Sequence, residues 1–121
     1  MRTIVFCDDS PTVRKLISIA MRSSDYRILF AENGEEGLQL SRSENPDLVV
    51  TDLAMPILNG VQLFDRLTLE PGLKSVPVIF LTALTGTDLI SQARARAAHS
   101  IIAKPFSPIE LRARIAAVFE S

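Results

Sequence analysis

The sequence predicts an α/β fold in which a five-stranded parallel sheet is doubly wound, with helices on both faces. Three observations lead there. Short apolar runs alternate with longer segments whose apolar residues recur at helical spacing, which is the pattern of strand–helix units. Most of the apolar runs are continuous rather than alternating, as strands covered on both faces should be. Capping residues stand where the helical segments begin.

The first strand is read at Thr3–Cys7. Ser10-Pro11 then supplies a hydroxyl cap and a proline preset for the first helical turn. Val13, Leu16, Ile17, Ala20 and Met21 follow at helical spacing and make one apolar stripe. The second strand is Arg27–Ala31, and Asn33 with Glu36 caps the second helix. The third strand is placed at 47–51 and the third helix at about 58–69, where Pro71-Gly72 gives a stop signal. The fourth strand is placed at 76–81, and Thr85 with Asp88 caps the fourth helix. After a fifth strand at Ser100–Ala103, Ser107-Pro108 opens the last helix, and Glu110 completes a capping box with Ser107. Leu111, Ile115, Val118 and Phe119 make its apolar stripe.

At 121 residues the chain is long enough for one domain with a real core and too short for two ordinary ones, so residues 1–121 are read as one domain. The 13 Lys and Arg are scattered and the net charge is −1. Displacing phosphate counterions needs clustered cations, so no direct nucleic-acid binding is expected of this domain. A single cysteine, Cys7, cannot form an internal disulfide, and no apolar run approaches a membrane span. A cytoplasmic location, away from membranes, is the resulting expectation.

Chemistry gathers at the strand ends. Asp8 and Asp9 follow the first strand, Asp52 the third, Thr82 the fourth and Lys104 the fifth. In a parallel sheet these ends share one edge, where open α/β sheets bind their ligands. Three carboxylates there repel one another, so without a cation some should hold protons more tightly than an isolated Asp. Oxygen ligands in small number, with room for waters and a phosphate oxygen, favour Mg²⁺ over metals that want nitrogen or sulfur. With such a cation an Asp carboxylate is a competent nucleophile toward phosphorus. Thr82 and Lys104 would hold the remaining phosphoryl oxygens.

The ordered set Asp8-Asp9, Asp52 with Met55-Pro56 and Asn59-Gly60, Thr82-Ala83 and Lys104-Pro105-Phe106 resembles the receiver domain of bacterial response regulators. The resemblance covers essentially the whole chain. It implies a flavodoxin-like sheet in the order 2-1-3-4-5, with Asp52 as phosphoacceptor. It implies direct Mg²⁺ binding by Asp9, Asp52 and the backbone carbonyl of Ala54, with Asp8 acting mostly through water. Thr82 and Lys104 would contact the phosphoryl group, and the Lys104-Pro105 bond is often cis in such proteins. The implied partners are a sensor histidine kinase or a histidine phosphotransfer protein as donor. A downstream target would bind on the face of the fourth helix, fifth strand and fifth helix. The chain carries neither G-x-G-x-x-G nor G-x-x-x-x-G-K-[ST], so it has no nucleotide signature of its own.

Two other function classes compete. An aspartyl-phosphate phosphohydrolase resembling the haloacid dehalogenases would place a second Asp two residues after the nucleophile, and that position is Ala54. A receiver-like adaptor that is never phosphorylated would usually have lost an acidic residue or the lysine, and all are present. Ala54 and Leu84 cannot orient an attacking water, which predicts a long-lived phosphoryl group. Ile101 stands where many receivers carry Tyr or Phe, so coupling is expected to run through 83–86 and the start of the fourth helix. Cys7 is expected to be a buried apolar residue, and His99 is assigned no chemistry. Arg94 and Arg96 are read as solvated helix charges in preference to a partner patch.

Overall fold

The computed structural model describes residues 1–83 and 87–120. Strands and helices alternate from end to end: β1 (Thr3–Cys7), α1 (Pro11–Ala20), β2 (Arg27–Ala31), α2 (Gly34–Glu44), β3 (Leu48–Asp52), α3 (Gly60–Thr68), β4 (Val78–Thr82), α4 (Thr87–Arg94), β5 (Ser100–Ala103) and α5 (Pro108–Glu120). All pairings are parallel and the sheet order is β2-β1-β3-β4-β5. Every residue of β1, β3 and β4 is buried, whereas the edge strand β2 begins at an exposed Arg27. That difference explains the continuous apolar runs of the central strands.

Alternation along each strand divides the core in two. Val5, Cys7, Val49 and Phe80 face one side, with Leu38, Leu63, Leu67 and Ile90 of α2, α3 and α4. Ile4, Phe6, Val50, Ile79 and Leu81 face the other, with Ile17, Leu111 and Ile115 of α1 and α5. Each such side chain contributes about 1.5–3 kcal/mol on burial, and the two layers together hold the strand ends in fixed register.

Local chemistry explains the boundaries, including those that differ from expectation. Ser10 caps α1 by accepting from the Val13 N–H, with Pro11 in the first turn. Asn33 accepts from the Glu36 N–H and Ser107 from the Glu110 N–H. The third strand starts at Leu48 rather than 47 because the Asp47 carboxylate turns to accept from the Thr3 N–H at 2.7 Å. It continues to Asp52, which pairs with Leu81. The fourth strand starts at Val78, since the Val76 N–H closes a turn onto Leu73 and Pro77 has no N–H to donate. It ends at Thr82, paired with Ala103. The third helix is shorter than 58–69 because Asn59 and Gln62 form a reciprocal capping box that sets its start. Leu69 and Glu70 then close with tighter bonds to Arg66 and Leu67. The proposed Thr85 cap, Leu84 and Gly86 lie outside the described residues.

Candidate phosphoryl-transfer and metal site

Parallel strand direction brings the ends of β1, β3, β4 and β5 together, and the sequence-predicted residues meet there. Asp52 and Thr82 are the last residues of β3 and β4, while Asp8 and Lys104 directly follow β1 and β5. Ligand oxygens of Asp8, Asp9 and Asp52 lie within 4.8 Å of one another. Asp52, Leu53, Ala54, Thr82, Ala83, Leu89 and Lys104 line a cavity of about 90 Å³ beside them. That is room for a group of a few heavy atoms.

Asp8 is fully buried and held at three points. Its N–H donates to the Ala31 carbonyl at 3.0 Å. One carboxylate oxygen accepts from the Ser10 N–H at 2.9 Å, and the other accepts from Lys104 Nζ at 2.7 Å. The same Nζ lies 3.2 Å from Asp52 Oδ2. Lys104 therefore bridges two carboxylates contributed by strands that are neighbours in the sheet. Its N–H donates to the Thr82 carbonyl at 2.7 Å, and its bond to Pro105 is cis. Asp9 is exposed, so the three carboxylates run from fully buried to open.

Burial pushes the Asp52 carboxyl above the ordinary carboxylate range, and the charge of Asp8 adds to this, while Lys104 opposes it. Like-charge crowding thus falls on the buried acid facing the cavity. Burial works against the Lys104 charge, yet its hydrogen bond to Asp8 and the two carboxylates together hold its pKa above the ordinary lysine value. The lysine therefore stays charged and partly neutralises the cluster.

The donor set fits a hard cation. It offers carboxylate oxygens alone, gathered from two strand ends and open on the Asp9 side, a set that suits Mg²⁺. The nitrogen and sulfur alternatives lie elsewhere. Cys7 is buried under α2, its thiol pushed up to about 12 by burial. His99 lines a separate cavity with Phe64, Leu73 and Pro77 at the opposite edge of the sheet.

The segment 53–59 carries Ala54 over the site and is fastened at both ends. The Leu53 N–H donates to Leu81, the Gly60 N–H to Leu53, and the Gly34 N–H to Leu58. Gly60 opens α3, and its requirement is space: a Cβ there would collide with the Asp52 carbonyl oxygen. The left-handed residue of the segment is Ile57, at φ 71° and largely exposed. Sequence pattern did not reveal it, because an isoleucine is the opposite of a left-handed signal.

Two further details went unread in the sequence. Glu32 directly follows β2, so the second strand also ends in a charge, but it pairs with Arg14 of α1 at 3.3 Å and not with the acidic cluster. Arg14 in turn donates to the Asp8 carbonyl at 2.7 Å. A polar residue four positions into a helix gives no local signal for either contact. Arg96 lies beyond the end of α4 and forms a 2.7 Å ion pair with Asp65 of α3, so it is a paired charge outside the helix and not the solvated helix charge expected.

Residues 4–116 match the family described as the response regulator receiver domain. The phosphate regulon transcriptional regulatory protein PhoB of Pseudomonas aeruginosa is 35% identical over 117 residues, covering 97% of this chain and 51% of that protein. Response regulator GtcR of Aneurinibacillus migulanus is 37% identical over 116 residues, covering 96% of this chain and 47% of that protein. The chain thus spans about half the length of these curated relatives. Among solved structures, a response regulator from Desulfuromonas acetoxidans superposes with a TM-score of 0.87 at 27% identity, covering 99% of this chain and 98% of that one.

Proposed function

Because this chain belongs to the response regulator receiver domain family of two-component signalling, we propose that it takes a phosphoryl group onto Asp52 from a phosphohistidine of a sensor histidine kinase or histidine phosphotransfer protein. The observation that carries this reading is the single bridge from Lys104 to both Asp8 and Asp52, beside a small cavity lined by Thr82. A nucleophile, a fixed cation and a hydroxyl are thereby set around one space of phosphoryl size.

In the proposed reaction an Asp52 carboxylate oxygen forms a bond to phosphorus, and the phosphorus–nitrogen bond of the donor breaks. The imidazole nitrogen leaves with the bonding pair. Lys104 and the Thr82 hydroxyl hold the transferred oxygens, and the buried Asp8 keeps Lys104 aimed. Asp8, Asp9, Asp52 and the Ala54 carbonyl would hold Mg²⁺, which supplies charge neutralisation at the oxygens in flight. Positioning and charge are most of what this chemistry requires.

The proposed role is that of a switch and not of an enzyme acting on external substrates. Ala54 offers no side chain to orient water, so the acyl phosphate is expected to persist. The Leu84 part of that expectation lies outside the described residues. Ile101 is half-buried, pairs in register with Phe80 and packs in the α2–α3–α4 core layer. An aliphatic residue there has no hydroxyl to exchange, so output is proposed to pass through Thr82 and α4 to a protein on the α4–β5–α5 face. No helix among the described residues is long and apolar enough to cross a membrane. A cytoplasmic setting and the absence of direct nucleic-acid contact belong to the same proposal.

The test is intact-mass analysis after incubation with acetyl phosphate and Mg²⁺. Wild type should gain one phosphoryl group, and chelation or Asp52→Asn should prevent it. An unmodified wild type, or a modification retained in Asp52→Asn, would favour the adaptor reading.

A further inference from the structure

The geometry points to Arg14 as a positioning residue for the cation site, a role that rests on the metal-assisted reading above. Arg14 sits in the second turn of α1 with a side chain only 19% exposed. Its Nη1 donates to the Asp8 carbonyl at 2.7 Å, and its Nη2 reaches Glu32 Oε1 at 3.3 Å. The Asp8 carbonyl belongs to the peptide that joins Asp8 to Asp9. Holding that oxygen fixes the plane from which the Asp9 side chain departs.

Asp9 needs such help. Asp8 is held through its own N–H and both carboxylate oxygens. Asp9 is exposed and makes none of the side-chain hydrogen bonds or ion pairs found among the described residues. Its approach to Asp8 and Asp52 is therefore set by the backbone of the turn. A charge-assisted bond from a planar guanidinium is a stiff way to set it, and Glu32 keeps the other arm of that guanidinium turned outward.

The two roles open to Arg14 differ in sign. A cation near an acidic cluster repels Mg²⁺, so if Arg14 acted by charge alone its removal would tighten metal binding. If it acts by positioning, its removal loosens the turn and weakens binding. Groups that orient metal ligands typically cost tenfold or more when removed.

The experiment is calorimetric titration of Mg²⁺ into the metal-free full chain. Arg14→Met, which keeps the apolar stem, should weaken binding roughly tenfold while retaining a folded circular dichroism spectrum. Glu32→Gln should stay within about twofold of wild type, because the Asp8 contact survives. Wild-type or tighter affinity in Arg14→Met would overturn the proposal. So would an equal loss in Glu32→Gln, which would assign the effect to the outer ion pair. Should Arg14→Met not fold, Arg14→Lys keeps the charge without the planar fork and decides by the same measure. Weaker binding supports positioning, and wild-type affinity refutes it. A wild type that binds Mg²⁺ yet takes no phosphoryl group would sink the acceptor reading alone. A wild type that binds no Mg²⁺ would overturn both.

Discussion

Replacing Lys104 with Met should destabilise the metal-free protein by about 3 kcal/mol, and Mg²⁺ should reduce the deficit. Lys104 Nζ lies 2.7 Å from Asp8 Oδ2 and 3.2 Å from Asp52 Oδ2, and the Asp8 side chain is 0% exposed. Removing one partner of a buried ion pair costs about 3–5 kcal/mol, because the other is left uncompensated. The lysine side chain is itself 17% exposed, so water softens the loss toward the lower figure. Asp52 is already raised by burial and by Asp8, and it loses the Lys104 contribution that lowers it. Its folded-state pKa rises further above its unfolded value. The folded state then holds the proton more tightly, so the deficit is small near pH 4 and grows as pH rises. Mg²⁺ at a hundred times its dissociation constant adds about 2.7 kcal/mol to any folded state that binds it. The variant, freed of a competing cation, should bind it more tightly than wild type. The assay is urea unfolding followed by circular dichroism, since the chain has no Trp, with and without Mg²⁺. A metal-free variant within about 0.5 kcal/mol of wild type, or Mg²⁺ adding no more to the variant than to wild type, would show that Lys104 does not compensate the buried carboxylates.

Three smaller predictions follow from the backbone and core. Ile57→Asn should raise stability by about 0.5–1 kcal/mol, because Ile57 is 78% exposed at φ 71° and a left-handed β-branched residue costs about 1–2 kcal/mol; a lower urea midpoint would count against this. Gly60→Ala should cost about 2–3 kcal/mol, since its Cβ meets the Asp52 carbonyl with no flexible side chain to yield; an unchanged melting temperature would contradict it. Cys7 should resist iodoacetamide at pH 8 until the protein unfolds, because burial raises its thiol to about 12. The folded state keeps that proton after the unfolded state releases it, so stability should fall between about pH 9 and about 12, by up to about 1.4 kcal/mol per pH unit. Rapid labelling of the folded chain would show that the thiol is accessible.

What could be read from sequence follows from what local pattern encodes. Parallel strands end on one edge, so the positions of Asp8, Asp52, Thr82 and Lys104 after apolar runs were enough to gather them. The bounds of β1, β2 and β5 were legible because turn or capping residues flank them. Those of β3 and β4 shifted because the decisive bonds are long-range: Asp47 reaches back to Thr3, and the ladder carries Asp52 opposite Leu81. The double bridge of Lys104 was not legible either. It joins residues 96 apart in sequence, and a strand-end lysine looks the same whether it faces solvent or two carboxylates. Arg14 gives no local signal because a helical arginine is ordinarily solvated, and its bond to the Asp8 carbonyl exists only in the folded chain. Ile57 defied its own residue preference, since fastening at Leu53, Leu58 and Gly60 leaves the intervening residues little choice of backbone.

If Asp52 is the phosphoacceptor, its own side chain becomes an acyl phosphate. Borohydride reduces an acyl phosphate to the alcohol and leaves a free carboxylate untouched, so reduction after acetyl phosphate treatment should convert Asp52 to homoserine. Peptide mass analysis should find this change at Asp52 alone, and only when Mg²⁺ was present. Homoserine at Asp8 or Asp9, or an unreduced Asp52 in a protein that carries phosphate, would contradict it.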